Sequence, residues 1–269
     1  MNKRQISCII VLYNMNYKDS YTFKYLLECP EYKQGIIDIV AVDNSVRSYH
    51  NSDVDNLERV IYVSMNGNKG LSKAYNAGLD AIEKNYGLDN RMVVILDDDT
   101  EMGKDYFKEV IKASGDAIHS IFLPIVKDQT GYLSPSFMFK YKCKRCYDLD
   151  DITDENICGI NSGMAIKGEL FKNYRYNEDI FLDYIDHNFL RDMKRKHIGI
   201  RVLDVELHQN FSSDTDTYKQ AKHRLKIFKK DIQVYYSHGF MEYMTYCYVM
   251  VRRKLSLLRK YKRIGIFFI

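Results

Sequence analysis

The chain has 269 residues, of which 46% are hydrophobic, 28% charged and 13% aromatic; that suits one large domain or two small ones and excludes a wholly disordered chain. Three prolines and fourteen glycines exclude collagen-like and proline-rich classes, and with no apolar run approaching about 18 residues no transmembrane helix is expected. The net charge of +4 hides an asymmetry: residues 219–263 carry 13 Lys+Arg against 2 Asp+Glu, a local +11, and the rest carries 27 against 34, or −7.

Six cysteines are too sparse for a disulfide scaffold and fit a reducing compartment. Cys143 and Cys146 make one CxxC, with no second pair or His pair at zinc-ligand spacing. Met1-Asn2-Lys3-Arg4 followed by an apolar stretch has the outline of a short signal peptide, but Tyr13 and Asn14 end it with no small-residue cleavage site. A buried first strand over residues 6–12 is the better reading.

From there, short apolar runs alternate with helical patterns through residue 125. Residues 18–28 predict a helix that stops before Pro30, residues 36–42 a second strand closed by Asp43-Asn44-Ser45, and residues 60–63 a third strand. Residues 70–85 predict a helix with Leu71, Ala74, Gly78, Leu79 and Ile82 on one face, and residues 92–96 a fourth strand that is apolar throughout. A helix over 104–113 and a fifth strand over 117–123, ending at Pro124, complete this half. Apolar strands separated by helices indicate an α/β fold: a parallel sheet covered on both faces, with ligands at the carboxyl ends of its strands. Residues 126–160 read as a loop-rich transition and 161–207 as short strands and a helix. Residues 218–263 read as long helices, with Ala221, Leu225, Phe228, Ile232 and Tyr235 at helical spacing.

Four features carry chemistry. Asp97-Asp98-Asp99-Thr100 follows the fourth strand directly; in extended chain Asp97 and Asp99 project together, and a divalent cation would relieve their repulsion. A solvated acidic turn is the plain alternative. Asn66-Gly67-Asn68-Lys69-Gly70 leads into a helix and suits either an anion or an ordinary turn and cap. Asp183 and Asp186, three apart, would meet on one helix face among Phe181, Leu182 and Ile185, as a desolvated base or as a helix cap. His208, after a strand-like run, suits a metal shell, a phosphate contact or plain packing.

Taken together and in this order, these features resemble the family 2 glycosyltransferases of GT-A fold, and among them the rhamnosyltransferase-like branch. The likeness spans about residues 5–211. It rests on Val11-Leu12-Tyr13-Asn14, Val42-Asp43-Asn44-Ser45, the stretch from Asn68-Lys69-Gly70 to Ala77-Gly78, Leu96-Asp97-Asp98-Asp99, Asn161-Ser162-Gly163, Phe181-Leu182-Asp183-Tyr184-Ile185-Asp186 and Gly199-Ile200-Arg201-Val202.

The resemblance implies a Rossmann-like mixed sheet with helices on both faces and a C-terminal helical segment. Residues 1–215 would be the catalytic domain, with a nucleotide-sugar half over 1–125 and an acceptor half over 126–215, followed by basic amphipathic helices over 216–269. Tyr13, Asn14, Asn68, Gly70, Lys73 and Asp98 would lie at the nucleotide sugar, Asp43 on the base and Asp97 on the ribose. Asp99 would hold Mg²⁺ or Mn²⁺, with His208 on the metal or diphosphate. Asp186 would be the base that deprotonates the acceptor hydroxyl, with Asp183 its neighbour or substitute.

The implied reaction is an inverting transfer from a dTDP or UDP sugar to a saccharide or lipid-linked saccharide, in cell-surface polysaccharide or glycan assembly. Rhamnose, galactose, galactofuranose and glucose stay open as the sugar. The basic C-terminal segment suits an anionic membrane surface, a solvated helix face or a homodimer contact, with nucleic acid not expected. The expected location is cytoplasmic, and peripheral on the inner face of the membrane if that segment binds it. A sugar-nucleotide nucleotidyltransferase would need a Gly-rich basic loop after the first strand, where Tyr13-Asn14-Met15-Asn16 stands. A membrane-binding module with a decayed site is the non-enzymatic alternative.

Overall fold

A computed structural model describes residues 5–128, 131–139, 142–146, 148–209 and 217–269; residues 1–4 of the leader-like stretch and the expected domain boundary at 215/216 lie outside the described residues. The first half follows the alternation of its sequence: β1 (Gln5–Leu12), α1 (Tyr21–Glu28), a single turn α2 (Pro30–Lys33), β2 (Ile37–Asp43), β3 (Val60–Ser64), α3 (Leu71–Tyr86) and β4 (Arg91–Leu96). Then come β5 (Thr100–Glu101), α4 (Tyr106–Ala113) and β6 (His119–Asp128). The second half holds β7 (Gly131–Ser134), β8 (Ser136–Phe139), β9 (Lys142–Arg145), β10 (Ile157–Cys158), β11 (Met164–Lys167), α5 (Ile185–Arg195) and β12 (Gly199–Gln209), and the chain ends in α6 (Tyr218–Tyr235) and α7 (Phe240–Tyr261).

The large sheet runs β3-β2-β1-β4-β11-β6-β12-β5, with β7 beside β6. Its first four strands are parallel; β11 is antiparallel to both β4 and β6, so the sheet is mixed. β1, β2 and β4 are buried almost end to end, because side chains on both faces meet helices. Ile6, Cys8, Ile10 and Leu12 pack toward α1 and α4 with Phe23, Leu26 and Phe107; Ile9 and Val11 pack toward α3 with Tyr75, Leu79 and Ile82. Gly78 brings α3 close, since a Cβ there would lie 2.8 Å from Ile9. A third cluster, around Leu225, Ile232, Tyr235 and Met250, joins α6 to α7 and takes in Tyr184.

Three expectations need correction. The fifth strand does not stop at Pro124 but runs on to Asp128, because the partner β12 is irregular between Val202 and Glu206, opposite the proline. The stretch 126–160 is not mainly loop: β10, β8 and β9 form their own three-stranded sheet, built of strands of two to four residues that show too few alternations to read. Asp183 and Asp186 do not share a helix face, because α5 begins at Ile185 and Tyr184 before it is left-handed, φ 68°.

Candidate active site

β1, β2 and β4 end side by side, and their carboxyl ends form one rim. The acid triplet leaves β4 as a turn, not as extended chain, so Asp97, Asp98 and Asp99 all face the same cavity. Its backbone is fastened from outside: Ser20 Oγ donates to the Asp98 carbonyl at 2.7 Å, and Thr22 Oγ1 donates to the Thr100 carbonyl at 3.0 Å while accepting the Thr100 amide at 2.9 Å. Thr100 Oγ1 lies 2.7 Å from Ser162 Oγ, which ties the Asn161-Ser162-Gly163 motif to the triplet. Burial, then the Asp99 charge, pushes Asp97 up to about 6 and Asp98 up to about 7, and burial also raises Asp99. Three carboxylates are thus held together at a cost that protonation or a cation relieves.

Tyr13 reaches this rim with its amide 3.4 Å from Asp98 Oδ2. Asn44 organises the glycine loop: its Oδ1 accepts the Lys69 amide at 2.8 Å and its Nδ2 donates to Asn68 Oδ1 at 3.2 Å. Gly70 adopts φ +96°, and a Cβ there would lie 2.7 Å from the Phe181 ring. Asn14 faces Ser45 and Val46, and Asp43 accepts from Asn51, Tyr62 and the Ser45 amide, so these two shape the loop behind the rim. Lys73 points to solvent from α3.

The aromatic-acid segment divides its two acids. Asp183 pairs with Arg224 of α6 at 2.8 Å and is pushed up to about 6 by burial, against the pull of that guanidinium. Asp186 opens α5 and accepts the His187 amide at 2.7 Å; its charge is felt at both Asp97 and Tyr75. The backbone amides of Phe181, Leu182 and Asp183 all donate to Asp231, at 2.9, 2.8 and 2.8 Å. Asp231 is 1% exposed. At the far end of the sheet, His208 does not turn toward the triplet: strand alternation exposes it and turns Gln209 inward, where Nε2 donates to Asp97 Oδ2 at 2.8 Å.

The resulting cavity, about 1040 Å³, has the acids, Tyr13, Asn44 and Asn68 on one side and Lys219, His223 and Arg224 on the other. Sequence reasoning missed Gln209, Asp231 and the α6 wall. Only Asp231 left a trace, as one of two acids in the basic segment 219–263.

The family model described as "Glycosyl transferase family 2" matches residues 7–167. Among solved structures, the chain is similar to GalNAc-T7 with UDP, GalNAc and Mn²⁺ (TM-score 0.60, 13% identity, 85% of this chain and 48% of that one). It is also similar to the Pyrobaculum calidifontis mannosyltransferase PcManGT in complex with GDP-Man and Mn²⁺ (TM-score 0.59, 14% identity, 96% and 72%). A third likeness is to S. aureus TarS residues 1–349 in complex with UDP (TM-score 0.53, 18% identity, 85% and 65%). The chain spans about half the length of the first of these. No curated protein matches its sequence.

Proposed function

The chain belongs to glycosyl transferase family 2 and has the GT-A fold, and from that premise we propose that its cavity transfers a sugar from a nucleoside diphosphate to an acceptor hydroxyl with inversion. The observation that supports this most is the meeting of Asp97, Asp98 and Asp99 at one cavity rim, within electrostatic reach of Asp186. Two carboxyl roles are then separable. The triplet, held by Ser20, Thr22 and Ser162, faces the donor, and Asp186 at the start of α5 takes the proton from the attacking hydroxyl. Attack from the face opposite the departing diphosphate inverts the anomeric centre.

The donor set suits a hard divalent cation, because each carboxyl of the triplet is raised by burial, a bias that a cation reverses. Asp99 would hold Mg²⁺ or Mn²⁺, and that ion, when bound, supplies positive charge against the departing diphosphate. Lys219 and Arg224 face the same space from α6 and attract the anionic donor. Gln209 orients Asp97. The loop ordered by Asn44 sets Asn68 beside Tyr13 for the nucleotide.

The resemblance of the sequence motifs supports a rhamnosyl donor on dTDP or UDP, with galactosyl, galactofuranosyl and glucosyl donors as alternatives, in cell-surface glycan assembly. Asp99→Asn and Asp186→Asn should each lose transfer from nucleotide sugars while keeping the wild-type circular dichroism. Full activity in Asp186→Asn rejects its role as base.

The acceptor is proposed to sit at a lipid surface. On α7, Met241, Met244, Val251 and Leu255 form one helical stripe and are 60, 50, 53 and 41% exposed. Arg252 and Arg259 flank it in a segment of local charge +11. No helix among the described residues is long and apolar enough to cross a membrane, so the stripe would lie in the interface. Co-sedimentation with phosphatidylglycerol vesicles should be lost in Met244→Glu/Val251→Glu; retention in that variant rejects the contact.

A further inference from the structure

Two thiols and an imidazole meet beyond the acid rim, where the small sheet faces α5. Cys143 stands on β9, Cys158 closes β10 and His187 lies in the first turn of α5. Cys158 Sγ is 2.8 Å from His187 Nδ1, and the ligand atoms of all three residues lie within 4.8 Å of one another. The partner that the CxxC spacing suggests for Cys143 is not there: Cys146 is buried and turned to the Asp148 carbonyl.

The pairing order decides what the two thiols can do together. β8 lies between β9 and β10, with Cys143 opposite Met138 and Cys158 opposite Ser136, so their backbones are at least two strand spacings apart, about 9–10 Å. A disulfide needs Cα atoms within about 7 Å. The thiols meet only by leaning across the middle strand, where Ser136 Oγ is 2.9 Å from Cys143 Sγ. That arrangement suits sulfurs grouped around an ion rather than joined by a bond.

The geometry points to a Cys₂His site for Zn²⁺ formed by Cys143, Cys158 and His187, separate from the carboxylate rim. Thiolates and imidazole select a borderline-soft cation, as carboxylates select a hard one. The Lys194 ammonium donates to the Ile157 carbonyl at 2.9 Å and is close enough to feel both thiols, so it helps to balance two thiolates. Cys158 and His187 also line a cavity of about 220 Å³, together with Arg191, Glu242, Tyr235 and Tyr236, which has room for a water as fourth ligand. An ion there pins β9 and β10 to the turn in which Asp186 accepts the His187 amide. It therefore fixes the direction of the proposed base, a consequence that rests on the functional reading above.

The test uses the full chain, purified reduced and loaded with Co²⁺ as the spectroscopic stand-in for zinc. The expected result is about one equivalent bound, with thiolate-to-cobalt charge-transfer absorption that Zn²⁺ abolishes. Cys158→Ser and His187→Ala should lose the band. Because Cys158 is 1% exposed, Cys143→Ala at a half-buried position gives the same test without a buried replacement. Cys146→Ser should keep the band. Asp99→Asn should keep it too while losing transfer, which separates a failure of this site from a failure of the functional reading. A wild-type chain without the band, a folded Cys143→Ala that retains it in full, or an isolated chain with Cys143 and Cys158 disulfide-bonded overturns the assignment.

Discussion

Replacing Asp231 by Ala removes the carboxylate that holds the amides of Phe181, Leu182 and Asp183. Hydrogen bonds to a charged acceptor contribute about 1.5–3 kcal/mol each, but three on one side chain do not add. Part of the loop also relaxes toward water, so the loss should be about 3–5 kcal/mol. One gain opposes it, the end of repulsion between Asp231 and Asp183. That gain is the smaller effect, because Arg224 already lies 2.8 Å from the Asp183 carboxylate. At about 2–4 °C per kcal/mol for a domain of this size, the midpoint of thermal unfolding should fall by about 10 °C. Asp231→Asn keeps one acceptor oxygen but turns an amide N–H₂ toward a backbone donor, so it should fall partway. The assay is near-ultraviolet circular dichroism against temperature, followed by donor binding below the lowered midpoint. A variant Asp231→Ala that melts within about 2 °C of wild type refutes the claim that α6 holds the loop before Asp186.

Gly70→Ala places a Cβ 2.7 Å from the Phe181 ring on a φ of +96° and should cost about 1–3 kcal/mol while weakening UDP binding; calorimetric unchanged affinity and melting would show that the loop tolerates it. Gln209→Leu removes the hydrogen bond to Asp97 and should lower donor turnover by about 10–100-fold. His208→Ala, at an exposed position on the opposite strand face, should change turnover little, and the reverse ranking in steady-state kinetics rejects the placement. Asp97 and Asp98, pushed up to about 6 and about 7 from an ordinary 3.8, bind more protons folded than unfolded across that window. Cation-free stability should therefore be greatest below pH 4 for these groups and fall as pH rises toward 7. Mn²⁺ should flatten that slope in urea titrations, and an unaltered slope would mean that the triplet binds no cation.

The strands at the centre of the sheet were legible because they are buried on both faces. Ile6, Ile9 and Ile95 need no periodicity to be read when nearly every neighbouring position is apolar. The rim followed from the same property, since acids directly after such a strand have one place to go. What stayed hidden depends on pairing between distant segments. The bulge that admits Pro124 belongs to β12, almost eighty residues away. The inward turn of Gln209 in place of His208 depends on a one-residue register, to which a period of two is most sensitive. Spacing alone puts Asp183 and Asp186 on one helix face, but a left-handed Tyr184 starts α5 between them.

The basic C-terminal segment shows why charge counted along a sequence misleads about position. Read as a block, residues 219–263 form a cationic tail added to an acidic body. In the fold, α6 forms a wall of the main cavity: Lys219 and Arg224 face the acid rim, and Asp231 reaches through to the loop that leads to Asp186. The single buried acid of α6 is thus spent on neutral backbone amides, while its cations stand where an anionic donor would lie. A tail that only solubilised the chain or touched membrane would need neither arrangement. The same helix, through Leu225, Ile232 and Tyr235, carries α7 and its exposed stripe. The membrane contact proposed for α7 would thus be linked, through the α6–α7 packing, to the wall that faces the carboxylates.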